Sequence, residues 1–317
     1  MPGINKQELV IIGSGPAGLS AAIYTTREDI ETILFERAVI GGLAAVTDKV
    51  DNYPGFENGI AGLKLADSLK LQAERFGAKF ELAEVTGITE SNNGLKKLTT
   101  TSGDYLAQAV LIASGSDYKK INVPGEKEFY AKGVHYCATC DGAFYRDKRL
   151  VVVGGGNSAY QETLFLTRYA SHIDLLVRSK VRASEVLQKD MEKYVRDNKV
   201  TIHTETKTLA IKGDDTGVKQ VEASHDDQPI VFDTDGVFVF VGLLPNTQFL
   251  QNTPIKLDEN GFILVDNNLQ TAIEGVFAAG DVRSGATMQI ASASGEGATA
   301  ALKIREYLDD LKKATDY

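Results

Sequence analysis

Cys137 and Cys140 are the two cysteines of a 317-residue chain, and they stand in the run Cys137-Ala138-Thr139-Cys140-Asp141. Two intervening residues permit a small disulfide ring whose bond is readily reduced. The pair also suits two other ends: half of a zinc site, or two inert thiols packed as small hydrophobes. Structural zinc takes four ligands, and the four histidines, His135, His172, His203 and His225, form no second paired motif. Asp141 can supply a proton to a thiolate, or cap a helix at that point. His135, two residues upstream, would depress the Cys137 thiol if protonated; otherwise it is a packed or surface histidine.

A reducible pair needs an electron source, and two glycine-rich turns flank it. The first follows the apolar run Leu9-Val10-Ile11-Ile12 and reads Gly13-Ser14-Gly15-Pro16-Ala17-Gly18. A helix is predicted from Leu19 to Arg27, then a strand Thr32-Ile33-Leu34-Phe35 with Glu36 at its end. Gly13 permits the tight bend, Gly15 lets a pyrophosphate approach the backbone, and Gly18 lets helix and strand pack closely. The helix N-terminus offers free N–H groups to the phosphates, and an acid about 20 residues on accepts from ribose hydroxyls. The second copy runs Leu150-Val151-Val152-Val153, then Gly154-Gly155-Gly156-Asn157-Ser158-Ala159, a helix Tyr160 to Tyr169 and a strand Ile173 to Val177. Here Arg178, Lys180 and Arg182 replace the acid. Guanidinium groups bind a 2′-phosphate that a glutamate would repel. The first site is therefore expected to take an unphosphorylated ribose, as in FAD or NAD, and the second to lean towards NADPH. The alternative for the bases is a solvated charge cluster.

The rest of the chain bounds the reading. A net charge of −9 and an isoelectric point near 5.1 argue against a nucleic-acid partner. No apolar run approaches the ~18–20 residues of a membrane span, and residues 1–6 lack the layout of a secretory leader. Two cysteines make no structural disulfide framework, so a cytoplasmic, reducing compartment is expected. Leu65 to Phe76 has helical spacing ended by Gly77, and Lys79 to about Leu106 reads as a small antiparallel insert broken at Asn92-Asn93-Gly94 and Gly103. Ala109 to Ala113 reads as an apolar strand closed by Ser114-Gly115. A β-rich stretch is expected after Arg182 up to Gly242, a turn at Asn260-Gly261, and a closing helix from about Gly285. The fold class is α/β: two Rossmann-like (three-layer ββα) dinucleotide-binding domains, one inserted into the other.

The chain resembles the low-molecular-weight thioredoxin reductase family, FAD-dependent pyridine nucleotide-disulfide oxidoreductases of class II. The resemblance covers nearly all of it and rests on Gly13 to Gly18, Gly41-Gly42, Asn52-Tyr53-Pro54-Gly55, Tyr136 to Gly142, Gly154 to Ala159, Gly242 to Thr247 and Gly275 to Asp281. It implies an FAD domain of residues 1–117 and 248–317, and an NADPH domain of residues 118–247 carrying the cysteines. FAD would be held by Gly13, Ser14, Gly15, Ala17, Gly18, Glu36, Gly42, Leu43, Asn52, Val85, Ser114, Gly115, Asp281, Gln289 and Ile290. NADPH would be held by Gly154, Gly156, Asn157, Ser158, Ala159, Arg178 and Arg182. Cys140 would face the flavin, Cys137 would attack the disulfide of thioredoxin, and Asp141 would be the acid. Lys132 and Ala143-Phe144-Tyr145 match the region that docks thioredoxin, and a homodimer is implied. Leu43 and Met288 stand where the family commonly has glutamine and arginine. Leu176 and Val177 replace the histidine and first arginine of its HRR-x3-R stretch. Within this fold, an NADH- or ferredoxin-linked reductase and a thiol oxidase are alternatives. A redox-sensing interaction protein and a plain NADP-dependent dehydrogenase are readings of other classes.

Overall fold

A strand apolar on both sides must be covered on both sides, and Leu9 to Ile12 meets that requirement. Leu9 and Ile11 pack with helix residues such as Leu19, Ala22, Ala300 and Ile304. Val10 and Ile12 face a second layer of Val85, Ile88, Leu98 and Ile263. The computed structural model describes residues 5–315 apart from 48, 92 and 93. Asn92 and Asn93, read above as part of a loop, lie outside the described residues. The chain forms two compact units, Met1–Asp117 with Leu244–Tyr317, and Tyr118–Leu243.

In the first unit the strand Asn5–Ile12 pairs in parallel with Thr32–Glu36 on one side and Gly103–Ile112 on the other. Lys79–Leu82 extends the parallel sheet beyond Thr32–Glu36. It therefore does not belong to the antiparallel insert, which begins at Val85. Gly103–Ile112 is one continuous strand, so the expected break between insert and apolar strand is absent. Its first half pairs antiparallel with Lys96–Thr100, and its last three residues pair in parallel with Val276–Ala278. Helices Pro16–Thr26 and Ile290–Thr315 pack on one face of the sheet.

The helix boundaries differ from the sequence reading for local reasons. The first helix starts at Pro16, three residues early, because proline at the first helical position has its φ already set. The second spans Asn157–Leu166 and so begins directly at its turn. The last begins at Ile290, not Gly285, since Gly285 and Met288 hold left-handed φ values of 73° and 57°. Asn260 and Gly261 lie between Leu257 and Ile263, which bridge antiparallel.

The second unit has a five-stranded parallel sheet in the order Val200–His203, His172–Leu176, Arg149–Val153, Gly236–Val239, Val134–His135. Three antiparallel strands, Thr206–Asp214, Gly217–His225 and Gln228–Asp233, cover one face. Helices Asn157–Leu166 and Glu185–Arg196 cover the other. The helix Glu185–Arg196 is a correction to the expected β-rich stretch. Its inward stripe is thin: Met191 is its one fully buried residue, with Leu187 and Tyr194 partly covered. Ser184 at its start, Glu185 in its first turn and Lys193 and Arg196 in its last were the available signals. Each unit thus has three layers, strands on one face of a parallel sheet and helices on the other, as the sequence led us to expect.

Candidate active site

In both units the chemistry-bearing residues follow the carboxyl ends of parallel strands, where α/β sheets bind ligands. In the first unit, Gly13 holds φ of 100°, and a Cβ there would stand 2.4 Å from the Ala113 carbonyl oxygen. At Gly18 it would stand 2.1 Å from the Gly13 oxygen. These two glycines press helix against strand. Gly15 does something else: no atom lies within 4 Å of its Cβ position, and no side chain caps the helix it begins. An uncapped N-terminus behind open space is a cradle for an anion.

Glu36 closes the same end. Its Oε2 accepts from the Ser14 N–H (3.0 Å) and hydroxyl (2.8 Å), and its Oε1 from the Ala38 N–H at 2.9 Å. A carboxylate has about four acceptor sites, so capacity for a further donor remains. Gly13, Glu36, Val85 and Ser114 line one cavity of about 280 Å³. Arg37, Glu84 and Asn246 line it too, and the sequence reading did not pick them as site residues. Asn246 is fastened there: its Nδ2 donates to the Ser114 carbonyl, and the Ser114 hydroxyl donates to the Asn246 carbonyl. Arg37 reaches Asn246 Oδ1 at 3.0 Å. Its place directly after Glu36 was the one signal for it.

Gly42 stands against the turn, its Cβ position 3.4 Å from Gly15 Cα. Ala17 packs on Gly280, the residue before Asp281. Asn52 and Gln289, 237 positions apart, are joined by an Nδ2–H···Oε1 bond of 3.0 Å. Gly115 adopts a left-handed φ of 68°, and its carbonyl accepts from the Asn246 N–H. Ile290 opens the last helix, while Leu43 is exposed in the short helix Gly42–Ala45.

Burial, with the Glu296 charge beside it, pushes the Asp281 carboxyl up to about 6. Between the ordinary carboxylate value near 4 and 6, the folded chain holds a proton that the unfolded chain has released. The stability this group contributes at low pH is therefore lost as pH rises through that window. Asp281→Asn is expected to flatten the fall of Tm between pH 4 and 6.5 relative to wild type, as read by thermal unfolding across that range. An unchanged slope would contradict it.

In the second unit, Gly154 has φ of 150°, with its Cβ position 2.8 Å from Ala159 Cβ and 2.4 Å from the Phe240 oxygen. Gly156 repeats the open cradle, with nothing within 4 Å and no side-chain cap on the helix Asn157–Leu166. Two bonds tie the basic stretch back to the turn. The Arg182 N–H donates to the Gly155 carbonyl at 2.7 Å, and Asn157 Oδ1 accepts from the Ser184 N–H at 2.8 Å. Val177 is buried under Gly155, leaving Arg178 and Arg182 exposed beside the turn. Ser158 is exposed in the first turn of the helix.

The cysteines follow the edge strand Val134–His135 and are joined to each other, with Cα atoms 5.3 Å apart. They are therefore not inert free thiols. Cys137 begins the short helix Ala138–Asp141, and its Sγ accepts from the Cys140 N–H at 3.1 Å. Asp141 ends that helix, so the capping role falls to Cys137. The Asp141 Oδ2 lies 3.1 Å from His135 Nδ1. His135 is 9% exposed, the packed form of the two considered for it, and its Nε2 is 2.7 Å from the Tyr145 hydroxyl.

Two dinucleotide folds and a joined cysteine pair on one chain define a disulfide oxidoreductase class. Residues 7–297 match the family model described as pyridine nucleotide-disulphide oxidoreductase. The chain is 41% identical over 313 residues to a thioredoxin reductase of Bacillus subtilis, covering 96% of each. It is 39% identical to that of Listeria monocytogenes, covering 98% of this chain and 96% of the other. The crystal structure of thioredoxin reductase from Streptococcus pyogenes superposes with a TM-score of 0.90 at 35% identity, over 97% of this chain and all of that one. The chain belongs to the pyridine nucleotide-disulphide oxidoreductases and, within them, to the thioredoxin reductase family that its motifs resemble.

Proposed function

We propose that this chain is a flavin-dependent thioredoxin-disulfide reductase, with FAD in the discontinuous unit, NADPH in the inserted one, and thioredoxin as acceptor. One observation carries the proposal: a joined Cys137–Cys140 pair on a chain with two open, uncapped glycine cradles. The residues present fit both cofactors. Gly13, Gly15, Gly18, Glu36, Val85 and Ser114 would hold the adenosine diphosphate half of FAD, with Asn52, Asp281, Gln289 and Ile290 towards its flavin. Gly154, Gly156, Asn157, Ser158 and Ala159 would hold the NADPH pyrophosphate, and Arg178 and Arg182 its 2′-phosphate. FAD, when bound, supplies a two-electron link between the nicotinamide and the disulfide.

From the reduced pair onward the chemistry is the chain's own. The Cys137 thiolate, supported by the Cys140 N–H, attacks one sulfur of the thioredoxin disulfide and expels the other as a thiolate. Cys140 then attacks the Cys137 sulfur, re-forming the Cys137–Cys140 bond and releasing the second thioredoxin thiolate. Thioredoxin gains two electrons and two protons, and the pair loses two electrons. Asp141 supplies protons to the departing thiolates. Phe144, 58% exposed between the cysteines and the rest of the second unit's sheet in sequence, offers an apolar contact for thioredoxin, together with Lys132 and Ala143. A homodimer belongs to the same proposal and is checked by sedimentation velocity.

Anaerobic titration tests the donor. NADPH is expected to bleach the flavin absorbance at lower concentration than NADH, because Arg178 and Arg182 recognise the extra phosphate. Equal potency would remove that role from the two arginines. Bleaching by neither nucleotide would overturn the nicotinamide assignment and leave a ferredoxin-linked reductase or a thiol oxidase.

A further inference from the structure

The acid beside the cysteines is not isolated. Asp141 Oδ2 stands 3.1 Å from His135 Nδ1, and His135 Nε2 stands 2.7 Å from the Tyr145 hydroxyl. The imidazole is held by more than these bonds. It stacks on Phe238 with ring centroids 5.2 Å apart, and Tyr145 meets both rings edge-on. Gly236 leaves the room Tyr145 needs, since a Cβ there would stand 2.4 Å from its ring. Three groups from a strand, a short helix and the 3-10 turn Gly142–Tyr145 thus form one line ending next to Cys140.

We propose that His135 is the proton partner of Asp141, and that Tyr145–His135–Asp141 forms a wire returning solvent protons to the acid that serves the cysteine pair. The inference rests on the reductase reading for its purpose, though not for its geometry. With Asp141 ionised and the imidazole neutral, one tautomer satisfies all three groups: Nδ1–H donates to Asp141, and the Tyr145 hydroxyl donates to Nε2. Burial, then the charges of Asp141 and Asp235, push the Tyr145 hydroxyl up to about 12 and keep it a donor. The charged and titratable groups around the line are Asp141, Tyr145, Asp235 and Tyr130, whose own hydroxyl is raised by burial and then by the Asp141 charge. The proton balance closes. After Asp141 gives its proton to a thiolate, it regains one from Nδ1. Nε2 takes the Tyr145 hydroxyl proton, and water refills the hydroxyl. One solvent proton enters for that thiolate and no electrons move. The imidazole, left protonated at Nε2, returns to the Nδ1–H tautomer by proton exchange with solvent before the line delivers again. His135 and Tyr145 are positioning residues, acting through Asp141.

Two variants test this. In a Cys140→Ser background one thiol remains, and its alkylation rate by iodoacetamide is followed from pH 4.5 to 9. The profile is expected to show two steps, because the thiol is coupled to the His135–Asp141 unit. His135→Gln is expected to remove the lower step and Tyr145→Phe to displace it. With both cysteines present, each variant is expected to lower kcat for thioredoxin reduction about ten-fold, below the ~10²–10⁴-fold of a direct proton donor, and His135→Gln to do so at unchanged KM. Tyr145→Phe keeps the packing, so it remains informative if His135→Gln fails to fold. A single-step profile in the parent background, or profiles and kcat unchanged in folded variants, would overturn the wire. A loss of stability alone, with both readouts unchanged, would overturn it too. Alkylation needs neither flavin nor thioredoxin. A displaced step in a chain that reduces no thioredoxin would support the wire and defeat only the functional reading.

Discussion

Cys137→Ser is expected to abolish thioredoxin reduction, by more than about 10³-fold, in a protein that stays yellow. The serine hydroxyl can accept the Cys140 N–H as the sulfur does, so the local backbone has no reason to move. Opening a ring of four residues costs at most about 2 kcal/mol on the chain-entropy account. The cofactor cradle at Gly13 to Gly18 is made by a different part of the chain and is untouched. Cys140→Ser divides the step differently. It leaves the attacking sulfur in place but removes the one that resolves the mixed disulfide, so a covalent adduct with thioredoxin is expected to accumulate. Turnover by Cys137→Ser at the wild-type rate, measured with NADPH and oxidised thioredoxin, would sink the assignment of Cys137 as nucleophile. No turnover by the wild-type chain, with Cys137→Ser changing nothing, would instead favour a chain that senses redox state without turning substrate over.

Alanine at Gly18 and at Gly15 is expected to have opposite effects, although both glycines belong to one turn. At Gly18 a Cβ would stand 2.1 Å from a backbone oxygen that has nowhere to go. Helix propensity favours alanine by only about 1 kcal/mol, while overpacking against a rigid backbone costs ~1–3 kcal/mol and at times more. The clash wins, and the variant is expected to lose several degrees of Tm and to purify with little flavin. At Gly15 the space is open and φ is −70°, which alanine adopts freely. Gly15→Ala should keep its Tm when cofactor-free, yet bind FAD more weakly, since the methyl occupies the place of the pyrophosphate. Thermal unfolding of the stripped proteins and flavin titration separate the two. A Gly15→Ala chain as unstable as Gly18→Ala would mean that the open cradle is a packing element after all.

The glycine turns and the cysteine pair could be read from sequence because each is a local device. A bend needing positive φ at Gly13, an apolar run buried on both faces and two cysteines three apart depend on neighbours in the chain. Element limits were less legible. The closing helix begins later than expected because Met288, a residue type that rarely takes a left-handed φ, carries no sequence mark of it. The helix Glu185–Arg196 was missed because so few of its residues reach the core.

Composition and spacing by themselves pointed to two dinucleotide folds and to one cysteine pair suited to redox chemistry, while the structure showed that the two cysteines are joined. They also singled out Glu36, Arg178, Arg182 and Asp141. Tertiary structure alone decided that Asn52 meets Gln289 across 237 positions, that Asn246 locks onto Ser114, and that His135 bridges Asp141 to Tyr145. The reason is physical. A turn is a minimum of local backbone energy, whereas a contact between distant side chains exists only once the sheets and helices that carry them have packed.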